Sequence, residues 1–303
     1  MVKHHVTAVI VAYFPDVTRL YELLATVSAQ VNSIVIIDNS ASATLLNWLT
    51  TTRFSQVKCL SQSSNLGVAA AQNIGIAWAI QQHADYVVLF DQDSCPAPTM
   101  INELLHAVQR LQAQQQRVAA VGPRYLDARQ NNPPPFIRIQ GLKLQRCACD
   151  KPDSIVPVDY LIASGCLIPV TTLNATGFMQ PELFIDYVDI EWGLRAKSLG
   201  FQCFGICSAE MAHELGDKPI AFLGRQIPLH SPLRHYYHFR NAVWLYQQSY
   251  IPLNWKCVDA ARLLLKLGFY SLFAKPRVKH FGMMLLGIGH GLLKRLGQIN
   301  SNS

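Results

Sequence analysis

Charged residues are scarce in this sequence. Only 15% of its 303 residues are Asp, Glu, Lys or Arg, whereas 50% are hydrophobic. A chain of this composition has enough apolar surface to offset the entropy lost on folding, which excludes disorder over most of its length. It is also long enough to bury a sizeable core. We therefore expect one large domain, or one domain with an appendage.

Signals for two common protein classes are missing from the N-terminal region. The first apolar run ends in Ala12-Tyr13-Phe14-Pro15 and not in G-x-G-x-x-G, which disfavours a dinucleotide-dependent dehydrogenase. The same run continues into Pro15-Asp16 without a small-residue cleavage site. We therefore expect no signal peptide.

No C-x-x-C motif occurs among the eight cysteines. Several of them lie inside apolar runs, which favours reduced, mostly buried thiols in a cytoplasmic protein. A metal site built from Cys147, Cys149, Cys203 and Cys207 is an alternative, although their spacing does not fit a zinc ribbon.

Acidic residues are nearly absent from the C-terminal region. The net charge is −4 from Met1 to Asp217 (14 basic against 18 acidic residues), but +11 from Lys218 to Ser303 (12 basic residues against Asp259 alone). This asymmetry indicates a C-terminal region that meets an anionic surface, with a solvated basic face as the alternative. The acidic first two-thirds argue against a nucleic-acid partner, and we expect none.

The C-terminal region also contains two apolar runs, Ala260–Ala274 and Phe281–Leu293, flanked by Lys and Arg. Neither reaches the roughly 20 uncharged residues that a membrane-spanning helix needs. We expect amphipathic helices lying in the membrane interface. Packing of these helices against the preceding domain is the alternative, and both arrangements can hold at once.

Strand and helix signals alternate over the first 125 residues. Continuous apolar strands separated by helices are typical of a parallel sheet that is covered on both faces. The sequence therefore predicts a Rossmann-like α/β fold, whose ligands bind at the carboxyl ends of the strands. The predicted strands are Val6–Tyr13, Ser33–Ile37, Val57–Leu60, Tyr86–Phe90 and Val118–Val121, and the predicted helices are 16–28, 43–54, 65–82 and 98–116.

The middle of the sequence is less regular. Residues 127–157 are rich in turn formers, which predicts a long loop or flap. We expect a strand at Val158–Ala163, a helix at Asp189–Ser198 and a further core strand at Phe201–Ile206.

Polar residues stand at the carboxyl ends of the predicted strands. Asp91-Gln92-Asp93 directly follows a buried strand, where a divalent cation would relieve the repulsion between the two carboxylates. In isolation a D-x-D sequence is also common in solvated turns. Asp38 and Asn65 follow neighbouring strands, so we expect all of these residues at one edge of the sheet.

A second acidic group occurs about a hundred residues later, at Asp186, Asp189 and Glu191. A carboxylate at the start of a helix serves as a cap or a dipole partner in one interpretation, and as a general base in the other. His213 is a candidate metal ligand, although a lone histidine is usually structural.

Several sequence blocks occur in an order that resembles the family 2, GT-A-type inverting glycosyltransferases, and particularly the bacterial rhamnosyltransferases of surface polysaccharide assembly. The resemblance covers roughly residues 6–245. It implies a GT-A catalytic domain at 1–250, with a nucleotide-sugar-binding half at 1–125 and an acceptor and catalytic half at 126–250. The basic, apolar residues that follow, 251–303, are expected to form a membrane-associating tail. The matching blocks are Thr7–Tyr13, Ile36–Ser40, Asn65–Gly75, Leu89–Asp93, Ser164-Gly165, Asp189–Arg195 and Arg234–Asn241.

The resemblance also implies roles for individual residues. A Mg²⁺ or Mn²⁺ ion on the donor diphosphate is implied to bind Asp93 and His213. The residues implied to border the donor are Ala12, Tyr13, Asp38, Asn65, Gly67, Asp91, Gln92 and Asp93. The residues implied to meet the acceptor or a phosphate are Ser164, Gly165, Asp186, Glu191, Arg234, Tyr237 and Arg240.

The implied catalytic base is Asp189, the second acid of the Glu-Asp pair of the family. Val188 stands where the commoner pattern has Glu, so Asp186 and Glu191 remain alternative bases. One base implies that the acceptor hydroxyl attacks opposite the nucleotide and inverts the anomeric centre.

The reaction implied is transfer of L-rhamnose from dTDP-rhamnose in lipopolysaccharide O-antigen synthesis. The basic, apolar tail favours a polyprenyl-diphosphate-linked glycan as the acceptor, and a cytoplasmic, peripheral location on the inner face of the membrane. A UDP- or GDP-hexose donor is one alternative. A non-catalytic nucleotide- or glycan-binding module is another.

Overall fold

A nine-stranded sheet covered by helices on both faces forms the centre of the computed structural model. The structure describes residues 4–52, 54–126, 136–212, 220–222, 225–227 and 229–299. The strands of this sheet are β1 (Val6–Ala12), β2 (Ser33–Asp38), β3 (Val57–Ser61), β4 (Tyr86–Asp91), β5 (Cys95–Pro96), β6 (Val118–Leu126), β9 (Ile155–Val158), β10 (Leu167–Pro169) and β11 (Gln202–Ala212). The other four strands form two separate hairpins. One hairpin pairs β7 (Phe136–Gln140) with β8 (Lys143–Cys147), and the other pairs β12 (Ile220–Phe222) with β13 (Arg225–Ile227).

The helices alternate with the strands in the first half of the chain and follow them in the second. They are α1 (Val17–Ser28), α2 (Thr44–Thr50), α3 (Val68–Gln81), α4 (Met100–Ala113), α5 (Val170–Thr176), α6 (Val188–Ser198), α7 (Pro232–Tyr246), α8 (Leu253–Phe273) and α9 (Arg277–Leu292).

The sheet is mainly parallel, with the strand order β3-β2-β1-β4-β10-β6-β11-β5. Side chains alternate between its faces, so Val9 and Val35 contribute to one core while Ile10 and Ile36 contribute to the other. Helices α1, α2 and α4 cover one face, and α3 with the later helices covers the other. This mixed α/β architecture confirms the predicted fold class.

Two predictions for the middle of the chain are wrong. The described part of 127–157 contains the β7–β8 hairpin and most of β9, where a loop was expected. The hairpin strands are largely half-buried or exposed, and their polar residues conceal the strand pattern. Residues 159–163 form no strand, although Val158–Ala163 was predicted as one. Leu161 instead packs against Gly122.

The cysteine prediction is also wrong in part. Cys149 and Cys207 form a disulfide, so they are neither reduced nor available to the alternative metal site. The backbone N–H of Cys207 donates to the carbonyl of Ser154 (3.0 Å), which brings the 149–154 segment beside β11. A sequence separation of 58 residues gave no sign of this pairing. The other six cysteines are free.

The C-terminal region forms the two predicted helices, and α9 packs closely on α7. A Cβ atom added at Gly287 would lie 2.5 Å from the carbonyl oxygen of Tyr236, and one added at Gly291 would lie 2.6 Å from that of Arg240. Glycine thus permits direct contact between the two helix backbones. Among the residues that the structure describes, no helix is both long and apolar enough to cross a membrane.

Candidate functional site

The carboxyl ends of three neighbouring parallel strands bring the predicted donor residues together. In the register of the sheet Ala12 lies beside Asp38, and Val11 lies beside Asp91. The backbone N–H of Asn39 donates to the carbonyl of Ala12 (2.8 Å). The ends of β1, β2 and β4 therefore form one continuous edge.

Asp38 has a buried carboxylate with one oxygen unused. Its Oδ1 accepts from the backbone N–H of Ser40 (2.9 Å), whereas Oδ2 has no hydrogen-bond partner among the described residues. A buried acceptor without a donor is costly in a folded protein. An N–H or O–H group of a ligand at this edge would satisfy it.

Asn65 and Gly67 form a tight turn before α3. The side-chain Oδ1 of Asn65 accepts from the N–H of Gly67 (2.9 Å), and the carbonyl of Gly67 accepts from Nδ2 of Asn39 (3.1 Å). Gly67 has φ +81°, and a Cβ atom there would lie 2.5–2.8 Å from Phe184. The predicted donor turn therefore touches the chain that leads to the second acidic group.

The D-x-D segment is fixed by its neighbours. Gln92 Oε1 accepts from the N–H of Tyr13 (2.6 Å), and its Nε2 donates to the Tyr13 carbonyl (3.3 Å). Ser164 Oγ accepts from the N–H of Asp91 (3.4 Å) and bonds Ser94. Asp93 is exposed, as is the Tyr13 ring, which is 50% accessible.

Ser164 and Gly165 were implied to meet the acceptor or a phosphate, but the structure buries Ser164 behind Asp91. Gly165 donates its N–H to the Leu89 carbonyl (2.7 Å) and adopts φ +75°, where a Cβ atom would lie 2.7 Å from Pro123. Both residues therefore support the end of β4 from the protein side.

Asp189 lies in the first turn of α6. Burial raises the pKa of its carboxyl to about 6, and the negative charges of Asp186 and Asp91 add to this rise. It lines a small internal cavity whose walls are mainly apolar and include Leu89 and Trp192. A carboxyl with this pKa ionises near neutral pH and is a suitable general base.

The other two acids of this group are engaged differently. Asp186 forms an ion pair with Arg234, whose Nη2 lies 3.2 Å from its Oδ1. Glu191 is buried, and its Oε1 accepts from Nε of Arg195 (2.7 Å) and from the hydroxyl of Tyr250 (2.7 Å). Glu191 thus links α6 to Tyr250, whereas Asp189 lines the apolar cavity.

Arg240 and Tyr237 are not open to the edge of the sheet. Arg240 is fully buried and bonds main-chain carbonyls, although we expected it to meet a phosphate. The Tyr237 hydroxyl accepts from the N–H of Ile299 (3.1 Å), and its ring stacks on Phe184 at 5.0 Å. In the sequence, the apolar residues that flank Arg240 and Asn241 were the available sign that this pair is buried.

Sequence reasoning also missed a buried tyrosine–aspartate cluster. The hydroxyls of Tyr187 and Tyr246 both donate to Oδ2 of Asp259, each at 2.8 Å. Asp259 lies in α8, so the C-terminal region holds the residue that precedes α6. No feature of the sequence signalled this contact.

A divalent cation at this edge would find part of its ligand set. Asp91 and Asp93 supply carboxylate oxygens, the ligands that Mg²⁺ and Mn²⁺ prefer. His213 lies outside the described residues, and the described ones contain no cluster of three or more His, Cys, Asp or Glu arranged for a metal ion. Mg²⁺ is commonly held by one or two carboxylates together with substrate phosphates, so the two aspartates fit such an ion.

The sequence resembles enzymes that transfer sugars. Residues 7–156 match the family model described as Glycosyl transferase family 2. The chain is 32% identical over 251 residues to the dTDP-rhamnosyl transferase RfbF of Shigella flexneri, and the match covers 82% of each protein. It is 20% identical over 295 residues to the low-salt glycan biosynthesis hexosyltransferase Agl10 of Haloferax volcanii, covering 93% of this chain and 89% of that protein.

Solved structures share the fold at low sequence identity. GalNAc-T7 in complex with UDP, GalNAc and Mn²⁺ superposes with a TM-score of 0.62 at 14% identity, covering 96% of this chain and 57% of that one. Residues 1–349 of S. aureus TarS with UDP-GlcNAc give a TM-score of 0.60 at 12% identity, covering 95% and 80%. These likenesses confirm the GT-A fold.

Proposed function

The chain belongs to glycosyl transferase family 2, and on that premise we propose that it transfers L-rhamnose from dTDP-rhamnose to a lipid-linked glycan. The observation that carries the proposal is the position of Asp189. Burial raises the pKa of its carboxyl to about 6, and the negative charge of Asp91 at the end of β4 contributes to this rise. A base with these properties can act on a hydroxyl that approaches a donor bound at this edge.

The proposed reaction needs one proton acceptor. Asp189 removes the proton of the acceptor hydroxyl as the oxygen attacks the anomeric carbon, and the carbon–oxygen bond to the nucleoside diphosphate breaks on the opposite side. The anomeric configuration is therefore inverted. Retention of configuration, observed by NMR of the product, would contradict this mechanism.

The proposed donor pocket begins at Asp38. Its unused Oδ2 can accept a hydrogen bond from the imide N–H of a pyrimidine base, a group that dTDP and UDP both carry. The exposed ring of Tyr13 can contact the nucleotide from the neighbouring strand. Rhamnose is proposed from the similarity to RfbF, and UDP- or GDP-hexoses are the second candidates.

The donor diphosphate is proposed to carry Mg²⁺ or Mn²⁺ held by Asp93, with His213 as a further ligand. Ala212, the residue before His213, pairs with Cys95, which lies two residues after Asp93. When bound, the cation would stabilise the negative charge of the leaving diphosphate. Arg234, which forms an ion pair with Asp186, is proposed as the protein side chain whose positive charge meets the donor phosphate.

The first test is a panel of donors. Purified protein with Mg²⁺ or Mn²⁺ is mixed with dTDP-rhamnose, UDP-glucose, UDP-galactose, UDP-GlcNAc or GDP-mannose, and binding is followed by ligand-observed NMR and by release of nucleoside diphosphate. We expect a selective response to dTDP-rhamnose that is lost in Asp93→Ala and kept in Asp153→Ala, which removes an exposed carboxylate elsewhere. Selection of another donor would overturn the rhamnose assignment. Silence of the folded protein across the panel would favour a non-catalytic binding module.

The acceptor is proposed to be a polyprenyl-diphosphate-linked glycan, reached from the cytoplasmic face of the membrane. Helices α8 and α9 combine exposed cations with exposed apolar side chains, which suits an anionic lipid surface. The exposed cations are Arg262, Arg277 and Lys279, with Lys275 between the two helices, and the most exposed apolar residues are Val278 (87%), Leu253 (75%), Leu265 (75%) and Leu264 (68%).

Point variants test membrane binding better than removal of the tail, because α9 packs on α7. We expect Leu264→Ser/Leu265→Ser to reduce co-sedimentation with phosphatidylglycerol vesicles several-fold. The control is Leu142→Ser, which changes a leucine that is 71% exposed in the β7–β8 turn. Equal vesicle binding by both variants would contradict a lipid-facing role for α8.

A further inference from the structure

The loop from Glu182 to Tyr187 has an unusual backbone. Phe184, Asp186 and Tyr187 all have left-handed φ values of 62–65°, and none of them is glycine. At Phe184 the angles φ 65° and ψ −64° form a positive-φ γ-turn, closed by a bond from the N–H of Ile185 to the Leu183 carbonyl (2.7 Å). Such γ-turns are rare and strained, so the surrounding structure must hold this loop in place.

Two adjacent residues of α7 bond the main chain of this loop. Nδ2 of Asn241 donates to the carbonyls of Leu183 (2.9 Å), Ile185 (2.8 Å) and Asp186 (2.8 Å). Nη2 of Arg240 donates to the carbonyls of Glu182 (3.1 Å) and Leu183 (2.9 Å).

The Arg240–Asn241 pair is itself fixed and shielded from solvent. Nε of Arg240 donates to Oδ1 of Asn241 (2.8 Å), which orients the amide towards the loop. Both side chains are completely buried. Nη1 of Arg240 also donates to the carbonyl of Gly297, so the end of the described chain closes over the same group. Every one of these donors meets a protein acceptor, and none is directed at a ligand.

The loop connects the two halves of the candidate site. Its Phe184 carbonyl accepts from the N–H of Val68 (2.7 Å), directly after the donor turn at Gly67. At its other end Tyr187 is the residue before α6, whose first turn contains Asp189. A shift of the loop would therefore move the base relative to the donor edge.

We propose that Arg240 and Asn241 are positioning residues, which hold Asp189 at a working distance from the donor through their bonds to the 182–187 loop. The inference rests on the proposed role of Asp189 as the base. A displacement of about 1 Å in an active site can cost on the order of 100-fold in rate. Loss of these bonds should consequently slow the chemical step more than it weakens donor binding.

The test compares Asn241→Leu, which keeps the side-chain size and removes the amide, with Leu245→Ala, which creates a cavity at a fully buried position of the same helix. For Asn241→Leu, assayed by release of dTDP from dTDP-rhamnose, we expect a fall in kcat of about 30- to 100-fold, a Kd for dTDP within about threefold of wild type, and a shifted midpoint of the pH–rate profile. For Leu245→Ala we expect lower thermal stability with an unchanged profile. Arg240→Lys, which keeps the charge but not the planar fork, should show an intermediate loss.

Two results would overturn the proposal. The first is that folded Asn241→Leu has a kcat within twofold of wild type and an unchanged midpoint of the pH–rate profile. The second is an equal loss of kcat in Leu245→Ala, which would make the effect one of stability alone. If Asn241→Leu does not fold, Arg240→Lys decides by the same criteria. The variant Asp189→Asn separates the proposed base from the proposed positioning role. Turnover by Asp189→Asn would show that Asp189 is not the base. An inactive Asp189→Asn together with a fully active Asn241→Leu would reject the positioning role alone.

Discussion

Polar residues at the carboxyl edge of the sheet differ from those around α7 in what they bond. At the edge Asp38 keeps an unused oxygen and Asp93 is exposed. Around α7, Arg240, Asn241 and Asp259 bond other parts of the protein. Polar groups that are exposed or lack a protein partner at the ends of parallel strands suit a ligand, whereas buried groups bonded within the protein define the shape of the structure around it.

The largest expected effect comes from Asp189→Asn, which removes the proposed base and keeps the side-chain size. We expect kcat to fall by roughly 10²–10⁴-fold, while donor binding changes little. The variant should also be more stable than wild type at pH 7.5 by about 1–3 kcal/mol, because the ionised carboxylate is buried near two other acids. Activity assays and urea unfolding measure the two effects, and substantial turnover would assign the base to another residue.

A matched change two residues away should have the opposite effect on stability. Glu191→Gln removes half of a buried ion pair, and Arg195 then loses its charged partner. We expect a loss of about 3 kcal/mol in the free energy of unfolding, with binding of dTDP retained by the folded protein. If Glu191→Gln abolished turnover without loss of stability, Glu191 would be the catalytic base and its contrast with Asp189 would disappear.

The same comparison separates the features that could be predicted from the sequence from those that could not. The strands β1, β2 and β4 were predicted because continuous apolar runs of local sequence define them, and the acids Asp38 and Asp91 end β2 and β4. The three-residue strand β10 between β4 and β6 is too short to give a pattern.

Contacts between distant parts of the chain were not predictable in the same way. Arg240 belongs to a segment rich in Arg and Tyr, which suggested phosphate binding. Its actual partners are main-chain carbonyls 57–58 residues away, and no local pattern encodes them. Lys266 was likewise counted with the basic tail, but its Nζ bonds Nε2 of His238 (2.9 Å), and burial lowers its pKa.

The smallest expected effect concerns pH and sharpens the assignment of Asp189. The proposed base must be ionised to accept a proton, and burial raises the pKa of Asp189 from an ordinary 3.8 to about 6. We therefore expect kcat to fall as the pH drops through 6, to about a tenth of its maximum at pH 5. The contribution of this group to the free energy of unfolding changes with pH in the opposite direction to kcat. The folded state binds the proton more tightly than the unfolded chain, so the contribution is complete below about pH 3.8 and is lost as the pH rises through 6.

Both pH dependences should disappear together in Asp189→Asn, measured by rate assays and by urea unfolding between pH 5 and 8. A rate profile that retained its midpoint near 6 in this variant, at the residual activity, would indicate that another group titrates. Asp186 is the alternative acid of the same group, and it forms an ion pair with Arg234. Loss of the midpoint near 6 in Asp189→Asn would therefore assign the titration to Asp189 itself.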